Sequence, residues 1–221
     1  MYTEVLNNVN KMYDEVAQEL PITLRQKFEA EKEKITRELD ECRKKIEVIK
    51  SDVDLTKEAQ QRRISEVIAN SRKAVDDSIT NLIKLVQDAK AQAEKELTPA
   101  KPEAIDQGTL LNLKSDLRMV LDSLEPRQAI ARMAEALEQF IAEGDTLGIW
   151  LLGASNWPKL YAESRKVNAE GWEILKGKVL AKYASESQIQ ARNLLQKLAR
   201  VDDVIKGLRL YAGAVLDSLA K

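Results

Sequence analysis

The chain of 221 residues contains no histidine and one cysteine, Cys42. Without histidine it lacks the commonest general base and the commonest transition-metal ligand. One Cys and no His exclude Cys/His zinc sites and the Ser–His–Asp and Cys–His triads, and rule out an intramolecular disulfide. Glycine and proline are scarce, at 8 and 5 residues. No phosphate loop of the G-x-x-x-x-G-K-[ST] or G-x-G-x-x-G type occurs. Leu147-Gly148-Ile149-Trp150-Leu151-Leu152-Gly153 contains glycines, but bulky apolar residues fill the gaps and leave no cradle for a phosphate. No apolar run approaches the ~18 residues that would span a membrane. The first residues lack the basic and apolar regions of a signal peptide, so the cytoplasm, or a particle assembled there, is the expected setting.

Nor is there an excess of charge of one sign. The formal net charge is −1, with Lys+Arg and Asp+Glu nearly balanced in each half, so no nucleic-acid footprint is expected. Carboxylates are abundant, and the pairs Asp76-Asp77 and Asp202-Asp203 invite a Mg²⁺ reading. Neighbours on a helix point about 100° apart, so neither pair converges and both read as solvated. No metal, cofactor or catalytic constellation is assigned, and the expectation is a non-enzymatic protein.

What the sequence has in quantity is helix-periodic charge. Residues 22–97 contain no Gly or Pro. In the first half, Phe28, Ile35, Leu39, Cys42, Ile46, Ile49 and Val53 are apolar, and from Ile35 they recur at spacings of 4, 3, 4, 3 and 4, the pattern of a coiled-coil seam. Acid-before-base pairs such as Glu33–Arg37 and Glu41–Lys45 lie between them, each worth about 0.2–0.5 kcal/mol, so the seam must hold the helix. After Val53 the next strong position is Ile64. Ser51-Asp52-Val53-Asp54-Leu55-Thr56 is rich in capping residues, and Asp54 or Thr56 can start a new helix. The segment is either a turn or a stutter in one rod. A turn is favoured: with residue numbers summing to about 107, the second stripe of Ile64, Ile68, Val75, Ile79, Leu82 and Val86 pairs with the first, and Cys42 falls opposite Ile64 or Ser65.

The surrounding chain divides around this hairpin. Val5, Val9, Met12, Val16 and Leu20 suggest a helix over 3–20, broken at Pro21. Its proposed place is over the end of the second arm, where Ala89, Ala93 and Leu97 outlast the first. Thr98-Pro99-Ala100-Lys101-Pro102 marks the clearest boundary. The expected domains are 1–98, an N-terminal helix with the hairpin; 99–108, a linker; and 109–221, a helical bundle. In that bundle Leu110, Leu113, Leu117, Val120, Leu121 and Leu124 form one face, and Ile130, Met133, Ala134, Leu137, Phe140 and Ile141 another, ended by Gly144. Further helices are expected near 159–168, 170–183, 185–198 and 201–219, with Ser185-x-x-Gln188 as a capping box. The predicted fold class is all-α: a long antiparallel helical hairpin or coiled coil followed by a multi-helix bundle.

Trp150, Trp157 and Trp172 either pack the core of that bundle or anchor a protein partner. A basic run near them, Lys159, Arg165, Lys166, Lys176, Lys178 and Lys182, is diluted by Glu163, Glu170 and Glu173.

The segment Asp54-Leu55-Thr56-Lys57-Glu58-Ala59-Gln60-Gln61-Arg62-Arg63-Ile64 resembles those joining helical arms in small coiled-coil accessory proteins of bacteriophage structural modules. The resemblance covers the hairpin alone and transfers no functional residue. It implies a scaffold, minor-capsid or head–tail accessory role. The partners expected of the helical surfaces are proteins, further copies of the chain among them. A helical adaptor or inhibitor binding one protein through its C-terminal bundle is the alternative.

Overall fold

A computed structural model describes residues 11, 13, 15–166 and 169–220. Among these residues the protein is all-α, with no strand. The long helices are α1 (Ile22–Ser51), α2 (Lys57–Leu97) and α8 (Glu186–Leu219). Between α2 and α8 lie α3 (Gln107–Asp122), α4 (Pro126–Glu143), α5 (Thr146–Gly153), α6 (Trp157–Ser164) and α7 (Ala169–Lys182). The chain forms two compact units: residues 1–93 with 193–221, and residues 94–192. The second is therefore inserted into the first. This departs from the expected 109–221 bundle, because the C-terminal helix takes its core from the hairpin.

In the first unit the segment at 52–56 is a turn. The Asp52 Oδ1 accepts from the Asp54 N–H at 3.1 Å, and the Thr56 Oγ1 caps α2 by accepting from the Ala59 N–H at 3.2 Å. The Gln60 amide closes the turn by donating to the Asp52 carbonyl. Val53, expected in the seam, sits at the tip and is 93% exposed. α1 and α2 run antiparallel. Ser71 Oγ donates to Glu38 Oε1 at 2.7 Å, and Asn81 Nδ2 to Glu31 Oε2 at 3.5 Å.

Those two pairs sum to 109 and 112, so the register lies a few residues beyond the expected 107. The helix ends at Ser51 and Lys57 centre the turn on residue 54, which raises the sum by one, and the glutamate side chains reach further along α2 for the rest. Cys42 is thus opposite the neighbourhood of Ile68, while Ser65 faces solvent and bonds its own helix at the Gln61 carbonyl. Of the seam residues, Phe28, Ile35, Leu39, Cys42, Ile46, Ile64, Ile68, Val75 and Ile79 are buried, and Ile49 packs against them partly exposed. Glu31, expected on the solvated face, is nearly buried and pairs with Lys34 at 2.6 Å.

The third wall of this core is α8. Leu198, Val201, Val204, Ile205, Leu208, Ala212, Val215 and Leu216 join the same cluster. Fully burying each large aliphatic contributes about 1.5–3 kcal/mol, whereas an exposed ion pair gives about 0–1, so the apolar stripe dominates and charges set direction. Arg72–Asp217, Asp76–Arg209 and Lys90–Asp202 fix α8 antiparallel to α2. Lys90–Asp202 also shows that α8 meets the part of α2 that outlasts α1, the place expected for the N-terminal helix. Two helices were expected over 185–219. One continuous helix forms because nothing between Leu198 and Val201 breaks it: Ala199-Arg200 carries no Gly or Pro, and the 3- and 4-spaced stripe runs straight through.

The N-terminal segment ends in a turn at Pro21, the residue before α1. Val16 and Leu20 are buried as expected, while Val5, Val9 and Met12 lie outside the described residues. Tyr13 stacks on Phe28 with centroids 5.4 Å apart, and Glu19 pairs with Arg200.

The second unit is built round α4. Pro126 stands at its first position, the Glu125–Gln128 capping box opens it, and Gly144 closes it at φ 70°, the left-handed conformation a glycine adopts without strain. α4 packs on α3, α5 and α7, and α6 packs on α5 and α7. The core is Leu121, Ala129, Ile130, Met133, Leu137, Leu152, Tyr161, Trp172 and Val179. The glycines of α5 serve close packing. A Cβ on Gly148 would lie 2.4 Å from the ring of Phe140, and one on Gly153 would lie 2.8 Å from Pro99 Cγ. The residues from Thr98 to Asp106 are non-helical, as the two prolines require.

Candidate functional site

α3 begins where Asp106 caps it: its carboxylate accepts from the Thr109 N–H and hydroxyl, both at 2.6 Å. These bonds to the charged form hold the Asp106 carboxyl below its ordinary value of 3.8. At the other end Asp122 and the chain after it are clamped by α6. Tyr161, 5% exposed, donates its hydroxyl to Asp122 at 3.0 Å, and Arg165 donates to the Leu124 carbonyl at 2.8 Å. Burial, and then the Asp122 carboxylate, raise the Tyr161 phenol above its ordinary value of 10.0. The Arg165 cation lies against the C-terminal end of the helix, where the dipole favours it.

So held, α3 turns only part of its apolar surface inward. Leu110 and Leu121 are buried, Leu113 and Leu117 half-buried, and Val120 is 44% exposed, although the spacing places all of them on one face. Leu111 and Met119 stand further out, at 64% and 71% exposure. The remainder of the face opens into a groove of about 200 Å³ between α3 and α4. Its α3 wall is Leu113, Leu117 and Val120, with Asp116 on the rim. Its α4 wall is Ala136 and Phe140, with Arg132 and Gln139 on the rim. The rim side chains are held locally, Arg132 to Glu135 at 2.8 Å and Gln139 to Glu143 at 2.8 Å. An apolar floor with opposite charges on its two rims fits the apolar face of a helix. It offers no nucleophile, base or ligand cluster.

The tryptophans read from the sequence as candidate anchors lie elsewhere. Trp172 is 1% exposed at the centre of the second core and cannot serve as a docking anchor. Trp157 is half-buried and stacks on Tyr161 at 5.6 Å, and Trp150 is half-buried on α5. None of the three lines the groove. Half of the basic run is paired within its own unit: Arg165 with Asp122, Lys176 with Glu173 and Lys182 with Glu138. Three of the four paired aspartates form ion pairs, Asp76 with Arg209, Asp202 with Lys90 and Asp203 with Lys206.

Comparison with models of protein families, with curated proteins and with solved structures gave no match. A larger open trough of about 640 Å³ follows α1 past Glu29, Glu33, Arg37, Asp40 and Lys44. Charges of both signs alternate along it, and several pair within the helix, as Arg25 does with Glu29 and Lys45 with Glu41, so it reads as a solvated face.

The signal that locates the groove was in the sequence. Leu110, Leu113, Leu117, Val120 and Leu121 spread over about 100° of the helix, wide enough that one packed neighbour leaves the Val120 edge uncovered.

Proposed function

We propose that this protein is a non-enzymatic assembly protein that works through helix-mediated protein contacts, with the α3–α4 groove as its docking surface. The observation that carries the reading is the groove itself: an apolar floor left open between α3 and α4, lined by Leu113, Leu117, Leu121 and Phe140, with Val120 44% exposed at its edge. Exposed apolar surface gathered in one place and rimmed by charge marks an interaction site. The long hairpin suits a protein that spaces or braces other components. The resemblance of residues 54–64 to joining segments of phage structural proteins makes a virion assembled in a host cytoplasm the proposed setting. The same groove, about the length of two or three helical turns, also favours a second reading, an adaptor that takes one helix of a single partner.

The test is photo-crosslinking in the producing cell, with a photoreactive residue in place of Val120 and, as control, in place of Val48, which is 68% exposed on the hairpin. Discrete protein adducts from position 120 and none from position 48 support docking at the groove. No discrete adduct from position 120 overturns it.

A further inference from the structure

We propose that the occupant of the α3–α4 groove is the same face of a second copy of this chain, forming a two-fold symmetric dimer. The inference rests on the docking reading above and names the partner. A helix seated in the groove needs an apolar stripe at 3- and 4-residue spacing, a carboxylate on the flank that meets Arg132, and a cation opposite Asp116. α3 supplies the first two itself. Leu113, Leu117 and Val120 form the stripe, and Asp116 lies beside Val120, about 40° round the helix.

The rims carry Asp116 on the α3 wall and Arg132 on the α4 wall, and Arg132, held by Glu135 at 2.8 Å in the single chain, must turn from that carboxylate to the partner's Asp116. A two-fold axis lying in the interface and running along the groove, parallel to the two helices, brings each wall against the other wall of its partner. Both Asp116 side chains then face an Arg132, and the ion pair is made twice. An interface of this isologous kind is self-complementary by construction, and it is the commonest arrangement of soluble oligomers. α3 is about 24 Å long and the helix pair about 20 Å wide, so the face covers roughly 500 Å² per protomer, about 1,000 Å² in all. That is the low end of the range for a specific interface, which fits a reversible dimer.

Sedimentation velocity of the full chain across about 1 to 500 µM tests the proposal. The expected result is a concentration-dependent shift from monomer to dimer. Val120→Asp, at an exposed position, weakens the dimer by at least about tenfold while circular dichroism and the urea midpoint stay unchanged. In a Glu135→Gln background, which removes the partner Arg132 has within its own helix, Asp116→Arg alone and Arg132→Glu alone each weaken it, and the two together restore it, because the ion pair is rebuilt with its signs reversed. A chain that stays monomeric throughout the range overturns the proposal. So does a dimer indifferent to Val120→Asp, or a charge reversal without rescue. A monomer in solution whose position-120 crosslinker captures a different protein overturns the dimer and leaves the docking site standing.

Discussion

Replacing Gly148 by alanine should destabilise the second unit through a single contact. The added Cβ would lie 2.4, 2.5 and 2.7 Å from Cγ, Cδ2 and Cδ1 of Phe140. Carbon atoms at ordinary contact are about 3.5–4.0 Å apart, so the ring or α5 must move by about 1 Å. Overpacking of this kind costs about 1–3 kcal/mol, and the closeness of three ring atoms puts the cost near the upper end. Alanine's better helix propensity offsets at most about 1 kcal/mol. The net loss expected is ~2 kcal/mol, read in urea by tryptophan fluorescence, which reports this unit alone because Trp150, Trp157 and Trp172 all belong to residues 94–192. The decisive comparison is Phe140→Ala. In that background the clash is gone, so Gly148→Ala should cost nothing or stabilise by up to about 1 kcal/mol. An equal loss in both backgrounds would show that the cost lies in the backbone and not in the ring, and would refute the reasoning.

Three further outcomes are expected. Gly144→Ala should lower the stability of the same unit by about 1 kcal/mol from backbone strain alone, since φ is 70° and nothing lies within 4 Å of the new methyl; a neutral result in the urea melt would count against the left-handed cap. Cys42, 0% exposed, should react with a thiol reagent only at the rate of unfolding and give no covalent dimer on mild oxidation, as a non-reducing gel will show. Tyr161→Phe should cost about 1–2 kcal/mol at neutral pH. Because the folded phenol titrates above its ordinary 10.0, the stability it contributes is full below that value and is lost as pH rises through the higher folded value, so the variant should show a shallower alkaline loss in denaturant titrations.

Local chemistry was the most legible part of the fold. Thr56 caps α2, Ser185 and Gln188 exchange the two bonds of a capping box, and Gly144 ends its helix, each as the side-chain type dictates. The hairpin stripes were equally plain, since nearly every 3- and 4-spaced apolar residue from Phe28 to Val86 is buried or packed against the core. Long-range assignment was not legible. The stripe of α8 is amphipathic whichever core it joins, and periodicity carries no information about which partner lies 100 residues away. Register failed for a related reason, because the pairing sum depends on where the turn is centred. The candidate site was half visible. Composition pointed to the tryptophans, yet Trp172 fills the core, while ordinary leucines and a valine on α3 line the groove. The role of Gly148 was invisible, because a helical glycine shows its purpose only when the ring it admits is in place.

The insertion of one unit within the other has a consequence for synthesis. The hairpin is complete once Leu97 has been made, but the residues of α8 that wall its core begin near Leu194 and come about 100 residues later. At roughly 5–20 residues per second, the stripe of Ile64, Ile68, Val75 and Ile79 waits about 5–20 s with one flank open to water. Meanwhile residues 94–192 emerge whole and are free to fold. The first domain begun is therefore the last finished, and its half-built state is the point in the life of the chain most open to misassociation. Ribosome-stalled chains ending before Leu198 should be protease-sensitive in the hairpin, and chains extended past Leu216 with their stall linker clear of the exit tunnel should be resistant.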